Sequence, residues 1–371
     1  AVELSGAPDA RIAGLMEQSL ALYRQQEEGA ASLAFLRRRA QGDVETAQRI
    51  LRSRGYYDAR IETRIEPPGT AESGEDGETR PTPAVARVAI EPGPQFTLAS
   101  QTIQVIDTAG RKVEPLDAAA LGAPVGGPAE AAAIVAAEQA AVARLRREGR
   151  PYAEFRDRDA VADLEAATLE VESVVAAGPF YRTGELRFEG APNVSREYLR
   201  TYVPWEEGAV LDREALAEYQ NRLFGTALFA GASVEPPEEP PEGETAPIIV
   251  RLDEAPFRSV AFGARFSTDE GPALRALFEH RNLFGANETL TLEADAGLGE
   301  QRAFATLLKP QYLRDGQDFT TGLEIRRVDD DAFDELGATL TAGLRRELGE
   351  HWTVGASGLL EASRIDDSIT G

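Results

Sequence analysis

The chain has 371 residues, with 39 Lys and Arg against 63 Asp and Glu, a net charge of −24 and no cysteine. That length exceeds one ordinary core and points to two to four domains. The negative charge speaks against nucleic acid as a partner, because no phosphate-neutralising patch offsets it. Absent cysteines suit an exported protein that must avoid mispairing in an oxidising compartment. The opening AVELSGAP carries no charged-then-apolar signal, as expected if a signal has been removed or the chain begins late. No apolar run reaches the roughly 18 residues of a membrane helix, but a barrel strand needs only about ten alternating residues.

In chain order, residues 1–6 read as a strand. Ile12, Leu15, Met16 and Tyr23 follow on one helical face. Arg37, Arg38 and Arg39 read as a solvated helix face. Asp43 is placed to cap a helix carrying Ala47, Ile50 and Leu51, and Gly55 to end it. Strands are predicted at 56–67 and 84–96, around a polar stretch at 67–83 with the composition of a flexible loop. The same order returns twice. A strand at 96–106 leads to an Ala-rich helix at 128–147, then strands at 151–161 and 168–180. A strand at 180–190 leads to a helix capped by Asp212, with Leu216, Tyr219 and Leu223 on one side and Gly225 as its stop. Strands at 229–237 and 247–257 complete it. An aromatic opens the first strand of each pair (Tyr57, Tyr152, Phe229) and another closes the second (Phe96, Phe180, Phe257), and these read as core residues of each repeat. Each unit is therefore β-α-α-β-β, over 1–95, 96–179 and 180–256.

The stretch GELRFEGAPNVSREYL, continued by VPWEEGAVLDREALAEYQNRLFGTALFAGASVEP, resembles a POTRA domain, the polypeptide-transport-associated module. The first two units share the order of parts and less of the motif. Modules of this kind precede a β-barrel in the outer-membrane assembly superfamily that includes BamA, TamA and two-partner secretion transporters. In POTRA folds the strand after the helices is an edge open to an extended peptide, which here implies Arg60, Ile61, Glu62 and Thr63.

Residues 257–371 alternate strand after strand. Val260, Phe262, Ala264 and Phe266 oppose Ala261, Gly263, Arg265 and Ser267. Leu290, Leu292, Ala294 and Ala296 oppose Thr289, Thr291, Glu293 and Asp295. Phe319, Leu323 and Ile325, then Leu336, Ala338 and Leu340, then Trp352 and Val354 repeat the pattern, whereas 302–313 carries leucines on both phases. The predicted strands are uniformly about ten to twelve residues long. The segments STDEGP, GLGEQ and VDDDAFDE look longer than GAN, DGQD and GEH, as if outer loops alternated with tight module-side turns. A soluble antiparallel sandwich fits the alternation too, with its apolar face inward. Long strands joined by successive hairpins favour a membrane barrel with the leucine face in lipid. The RNLFGANETL turn also resembles the first periplasmic turn of that superfamily. About seven strands are visible, fewer than such a barrel needs, and SRIDDSITG reads as an outer loop; the C-terminal part of the barrel is expected to lie beyond this chain.

No nucleophile elbow, phosphate loop or paired metal ligands occur; His280 and His351 sit beside turns, and Asp329, Asp330 and Asp331 lack calcium-loop spacing. Neither an enzyme nor a cofactor is expected. The three-module arrangement resembles the TamA-like branch. It implies outer-membrane localisation with periplasmic modules, unfolded outer-membrane protein clients of autotransporter type, outer-membrane lipid and a TamB-like inner-membrane partner. The superfamily's first and last barrel strands pair weakly. That assigns a client-binding seam to Ser259, Val260, Ala261, Phe262, Gly263, Ala264 and Arg265. A secretion pore for one dedicated passenger and a soluble peptide-binding array remain as other readings.

Overall fold

The computed structural model describes residues 1–27, 32–73, 79–82, 84–268, 271–314, 316–330, 333–349 and 351–367. The chain divides into two compact units, Ala1–Phe180 and Tyr181–Gly371.

The first unit begins with β1 (Val2–Ser5), α1 (Ala10–Ser19), α2 (Ala21–Arg24), α3 (Leu33–Ser53), β2 (Arg60–Glu66), the ribbon β3 (Gly69–Ser73) and β4 (Thr79–Thr82), and β5 (Val85–Glu91). Its sheet runs β1-β5-β2, with β1 parallel and β2 antiparallel to β5. Ile12, Met16, Ala47 and Leu51 close over Val88 and Ile90. Asp43 does not start a helix. It sits inside α3, which Ser32 caps, and its buried carboxylate accepts from the N–H groups of Ala21 and Leu22, both at 2.8 Å. It therefore caps α2 from across the core. The polar stretch read as a loop pairs at 69–73 with 79–82; residues 74–78 and 83 lie outside the described residues.

The unit continues with β6 (Thr97–Ile106), the short β7 (Leu116–Asp117), α4 (Ala131–Arg147), β8 (Glu154–Asp163) and β9 (Thr168–Ala176), in sheet order β7-β6-β9-β8. Only one α-helix lies between β6 and β8, not the two expected. Turns occupy the segment GAPVGGP, where Gly122 and Gly126 take φ of 91° and 82°, a region that breaks helices. Glu138 of α4 is buried; its carboxylate accepts from Ser173 Oγ at 2.6 Å and Arg158 Nε at 2.7 Å. This pair fastens the edge strand β8 to the helix.

Tyr57 and Phe96 do not belong to one repeat's core. Tyr57 leaves the first module and packs edge-on against Phe96 at 5.3 Å in the second core, with its hydroxyl donating to Ala129 O at 3.2 Å. The Phe96 N–H donates to Gly55 O at 2.8 Å beside it. Burial here, away from water, raises the Tyr57 phenol above its ordinary pKa.

The second unit opens with β10 (Arg182–Glu189), α5 (Arg196–Arg200), α6 (Arg213–Gly225), β11 (Phe229–Glu235) and β12 (Thr245–Glu254), in sheet order β10-β12-β11. Asp212 caps α6 as expected, accepting from Glu214 N at 2.8 Å. The left-handed residue after the helix is Ala227, φ 57°, not Gly225.

Seven antiparallel strands follow in chain order: β13 (Arg258–Ser267), β14 (Gly271–His280), β15 (Thr289–Gly297), β16 (Glu300–Lys309), β17 (Gln317–Asp329), β18 (Phe333–Leu348) and β19 (Trp352–Asp367). The last two are 16 residues each, longer than expected. The predicted contrast of loop lengths is reversed. The module-side connections cover 281–288, 310–316 and 349–351; the opposite ones cover only 268–270, 298–299 and 330–332. Charged residues that look like loop in sequence are ladder: Val328 pairs with Glu335 and Asp329 with Asp334. Residues 363–367, read as outer loop, belong to β19. Parts of the quoted loops (269–270, 315, 331–332, 350) and residues 368–371 lie outside the described residues.

Register resolves the ambiguous phase of 302–313. Val260, Phe278, Leu292, Ala305, Leu323, Leu340 and Leu360 form one continuous cross-strand row, so Ala303, Ala305 and Leu307 share the apolar face. That face is open: Phe262 is 82% and Leu360 72% exposed. The opposite face is partly covered by its own ion pairs. Arg275 reaches Glu293 and, at 3.6 Å, Asp295; Arg326 meets Glu335 at 2.9 Å, where the Glu335 side chain is 13% exposed.

Arg158→Ala should strand the Glu138 carboxylate in the second core with only Ser173. The cost expected is about 2–3 kcal/mol, below that of a fully buried pair because the guanidinium is partly solvated. Urea unfolding of the 1–180 segment measures it; an unchanged midpoint would show that the pair contributes nothing.

Candidate functional site

The seam residues predicted from sequence, Ser259 to Arg265, lie together on β13, an outer strand of the seven-stranded sheet. The other predicted edge, Arg60 to Thr63, lies on β2, an outer strand of the first sheet. The two sets belong to different compact units. Two further edges escaped the sequence-based choice, β8 and β11, each the outer strand that follows the helices of its sheet. Their position in the repeat was the available signal.

The hydrogen-bond parity of β13 follows from one bond. Arg281 N donates to Phe257 O at 2.7 Å, and the β13–β14 register runs without a break from Arg258↔His280 to Ser267↔Gly271. In an antiparallel ladder each residue turns both backbone groups the same way, and successive residues alternate. Ser259, Ala261, Gly263 and Arg265 therefore bond to β14. Arg258, Val260, Phe262, Ala264 and Phe266 turn N–H and C=O to the outer edge, where no strand pairs with them among the described residues. The side chains of this outward set are those of the apolar face. A Cβ on Gly263 would meet only Arg275 Cβ, at 3.9 Å, so packing does not require glycine there.

The foot of this hairpin is fixed to the third module by the turn 281–288. Left-handed backbone is costly for most residues, and the turn places asparagine, which tolerates it, at two such positions. Asn282 and Asn287 take φ of 58° and 61°. Asn282 Nδ2 donates to Asn193 O at 2.8 Å, and its Oδ1 accepts from Asn287 N at 3.1 Å. Ser195 N, at the cap of α5, donates to Gly285 O at 2.7 Å. Gly285 has φ 97°, a backbone conformation that disfavours any side chain, although a Cβ there would meet Asn193 O only at 3.4 Å. Arg281 spans the joint to Pro256 O at 3.0 Å. Asn193 is itself held by Glu254, its N and Nδ2 both donating at 2.8 Å.

Glu288 closes the turn from inside. It is 1% exposed, and its carboxylate accepts from Phe284 N at 3.2 Å and Ala286 N at 3.0 Å, with Lys309 Nζ at 3.6 Å. Asn287 also donates to Thr226 O at 3.3 Å. Beside it, burial and the 2.6 Å bond to the Tyr202 hydroxyl push the Tyr198 phenol far above its ordinary pKa, so it stays a neutral hydrogen-bonding group. No group of three His, Cys, Asp or Glu side chains converges as a metal site among the described residues. What this arrangement offers is a rigidly mounted main-chain edge.

No family model matches the chain. Among solved structures it is similar to BamA from Haemophilus ducreyi lacking POTRA domains 1–3, at 18% identity and a TM-score of 0.59, over 65% of this chain and 46% of that one. The chain thus spans less than half of that protein's length. The likeness shows the fold: POTRA-type α+β modules leading into antiparallel strands of the BamA barrel kind, here as an open sheet. The POTRA3–5 fragment of Haemophilus influenzae BamA (18% identity, 68% of this chain and 94% of that one, TM-score 0.41) and CdiB from Escherichia coli (15%, 97% and 61%, 0.39) overlap too loosely to bear on it.

Asn282→Ala should remove two hydrogen bonds at a buried site and place alanine at a left-handed position. The expected loss is about 2–3 kcal/mol of local stability. Amide hydrogen exchange of 283–288 and 195 in the complete protein should then speed up by about 30- to 150-fold; unaltered protection would show that the turn is held by other contacts.

Proposed function

We propose that this chain is part of a TamA-like outer-membrane assembly factor that inserts client β-strands by main-chain templating, without catalytic chemistry. The observation that carries this reading is the place of β13 as an outer strand, its outward groups unpaired among the described residues, in a sheet whose apolar face is exposed. A strand in hydrocarbon must have every backbone group bonded within protein. An extended client segment satisfies the outward groups of Val260, Phe262 and Ala264 by adding as a further strand. Side chains of the client then alternate between lipid and lumen in the register that β13 sets.

The modules lie in the periplasm on this reading. Their edges, Arg60 to Thr63 among them, hold clients in extended form before they reach the seam. A TamB-like inner-membrane partner delivers such clients, which include unfolded autotransporter-type barrels, and outer-membrane lipid surrounds the sheet. The open apolar face weighs against a soluble sandwich, which would cover it.

Two substitutions separate main-chain roles one strand position at a time. Ala264→Pro removes an outward N–H, so client insertion should fall sharply while the protein itself reaches the membrane at its usual level. Ala261→Pro removes a β14-facing N–H, so it should lower barrel folding itself. Client assembly and heat-modifiable mobility, scored together in cells, test this. Undiminished client assembly in Ala264→Pro would sink the templating mechanism.

The membrane phase has its own test. Leu292→Arg should cost about 2–4 kcal/mol if that row lies near the bilayer midplane, whereas Thr291→Arg, one residue away on the wet face, should cost little. Folding titrations into lipid vesicles compare the two. Equal costs would remove the lipid assignment and leave the edge geometry standing.

A further inference from the structure

At the module end of β13 a cleft of about 540 Å³ lies between the docked turn and the segment leading out of β12. Arg258 and His280 face each other across the β13–β14 ladder there. Both share the side-chain phase of Val260 and Phe278, so they stand at the rim of the apolar face. Phe257, Leu283 and Phe284 line the cleft with them, and Phe284 is 71% exposed.

Three features point to an anionic ligand with an apolar part. No lining residue is acidic, in a chain of net charge −24. Neither the Arg258 nor the His280 side chain has an ion pair or hydrogen bond among the described residues, and the His280 ring meets only the Phe278 ring, at 6.5 Å. The neighbouring cation, Arg281, is already engaged with Pro256 O, Ala227 O and Glu279. A guanidinium presents paired donors that match phosphate oxygens, and an adjacent imidazole N–H adds one more. The boundary of a hydrocarbon-facing surface is where lipid headgroups meet protein, and cations and aromatic rings gather at that level. A free anion gains nothing from Phe257, Leu283 and Phe284; a lipid gains contact for its first acyl carbons.

We propose that this cleft binds the phosphate of a glycerophospholipid from the module-side leaflet, with Arg258 and His280 donating to the phosphate and Phe284 packed against the start of an acyl chain. The inference rests on the reading of the seven-stranded sheet as membrane-embedded. Its consequence is local to the seam. A bound lipid ties down the foot of β13, at Arg258, while the outward groups of Val260, Phe262 and Ala264 stay available to a client. The cleft walls are suited to this, because the Arg281 bonds to Phe257 O and Pro256 O already fix their spacing.

The test uses the complete protein in mild detergent, with native mass spectrometry to count retained lipid. Dioleoyl phosphatidylglycerol should be retained as one tight adduct, and dioleoylglycerol, which lacks the phosphate, should bind at least about tenfold more weakly, the loss expected for charge-assisted hydrogen bonds. Arg258→Gln combined with His280→Gln should weaken the phosphatidylglycerol adduct by at least about tenfold, and Arg258→Lys, which keeps the charge but loses the paired donors, should weaken it less than the double variant. Equal retention of the two lipids, or full retention by the double variant, overturns the site. Displacement of the lipid by inorganic phosphate at equal potency overturns the lipid as its source. Insertion into vesicles is scored in parallel for every form. A wild-type protein that fails to insert removes the membrane reading and the site with it, whereas normal insertion without selective retention removes the site alone.

Discussion

Hydrocarbon offers no hydrogen-bond partners, and an unpaired strand edge tolerated in water becomes costly in a bilayer. The edge strands of this chain differ in side-chain character. Two module edge strands, β2 and β8, carry charge along their length, whereas β11 has only Glu235. In β2, Arg60, Glu62, Arg64 and Glu66 alternate with less polar residues, and β8 reads EFRDRDAVAD with every residue exposed. Such charges keep a solvated edge from pairing indiscriminately. In β13 only Arg258 and Arg265 are charged, and the residues that turn their backbone groups outward are otherwise Val260, Phe262, Ala264 and Phe266. An edge of that kind has a strong thermodynamic preference for an added strand, and the proposed function is that preference put to use.

A template transmits register only if it is itself held in place. The turn 281–288 does this by enclosing a carboxylate rather than by apolar packing. Glu288 collects two N–H groups of its own turn, and two asparagines at left-handed positions aim their side chains at Asn193 and Thr226. Buried polar networks that are fully satisfied are geometrically specific, because any shift leaves a donor or acceptor unpaired. The same logic recurs in the first unit, where Glu138 fastens β8 to α4 and Asp43 fastens α2 to α3. The carboxylates of Glu138 and Asp43 each join one element to the next, Asp43 back to α2 and Glu138 on to β8.

Much of the fold was legible because it rests on local patterns. The helix face of Leu216, Tyr219 and Leu223, its Asp212 cap and the period of two in the barrel-type strands need only the residues within one element. The errors have physical causes of the opposite kind. Asp43 looked like the start of a helix because a cap residue and a tertiary capping partner are chemically the same. The charged ends of the long strands looked like loops because solvent exposure and strand pairing coexist on an antiparallel ladder, as at Val328 and Glu335. Tyr57 and Phe96 looked like core residues of a repeat, yet they form the joint between two modules, since an aromatic ring packs equally well on either side of a boundary.

Which side chains share a face within most strands, and that one sheet face is largely apolar, can be read from residue order alone, because side-chain alternation is a property of each strand's own backbone. The phase of 302–313, with leucines on both sides, is set by its strand partners. Pairing across the fold likewise sets which amides of β13 face outward and brings the turn at 281–288 to Asn193, Ser195 and Thr226. Those facts depend on register and on contacts between residues distant in the chain, and no local period encodes them.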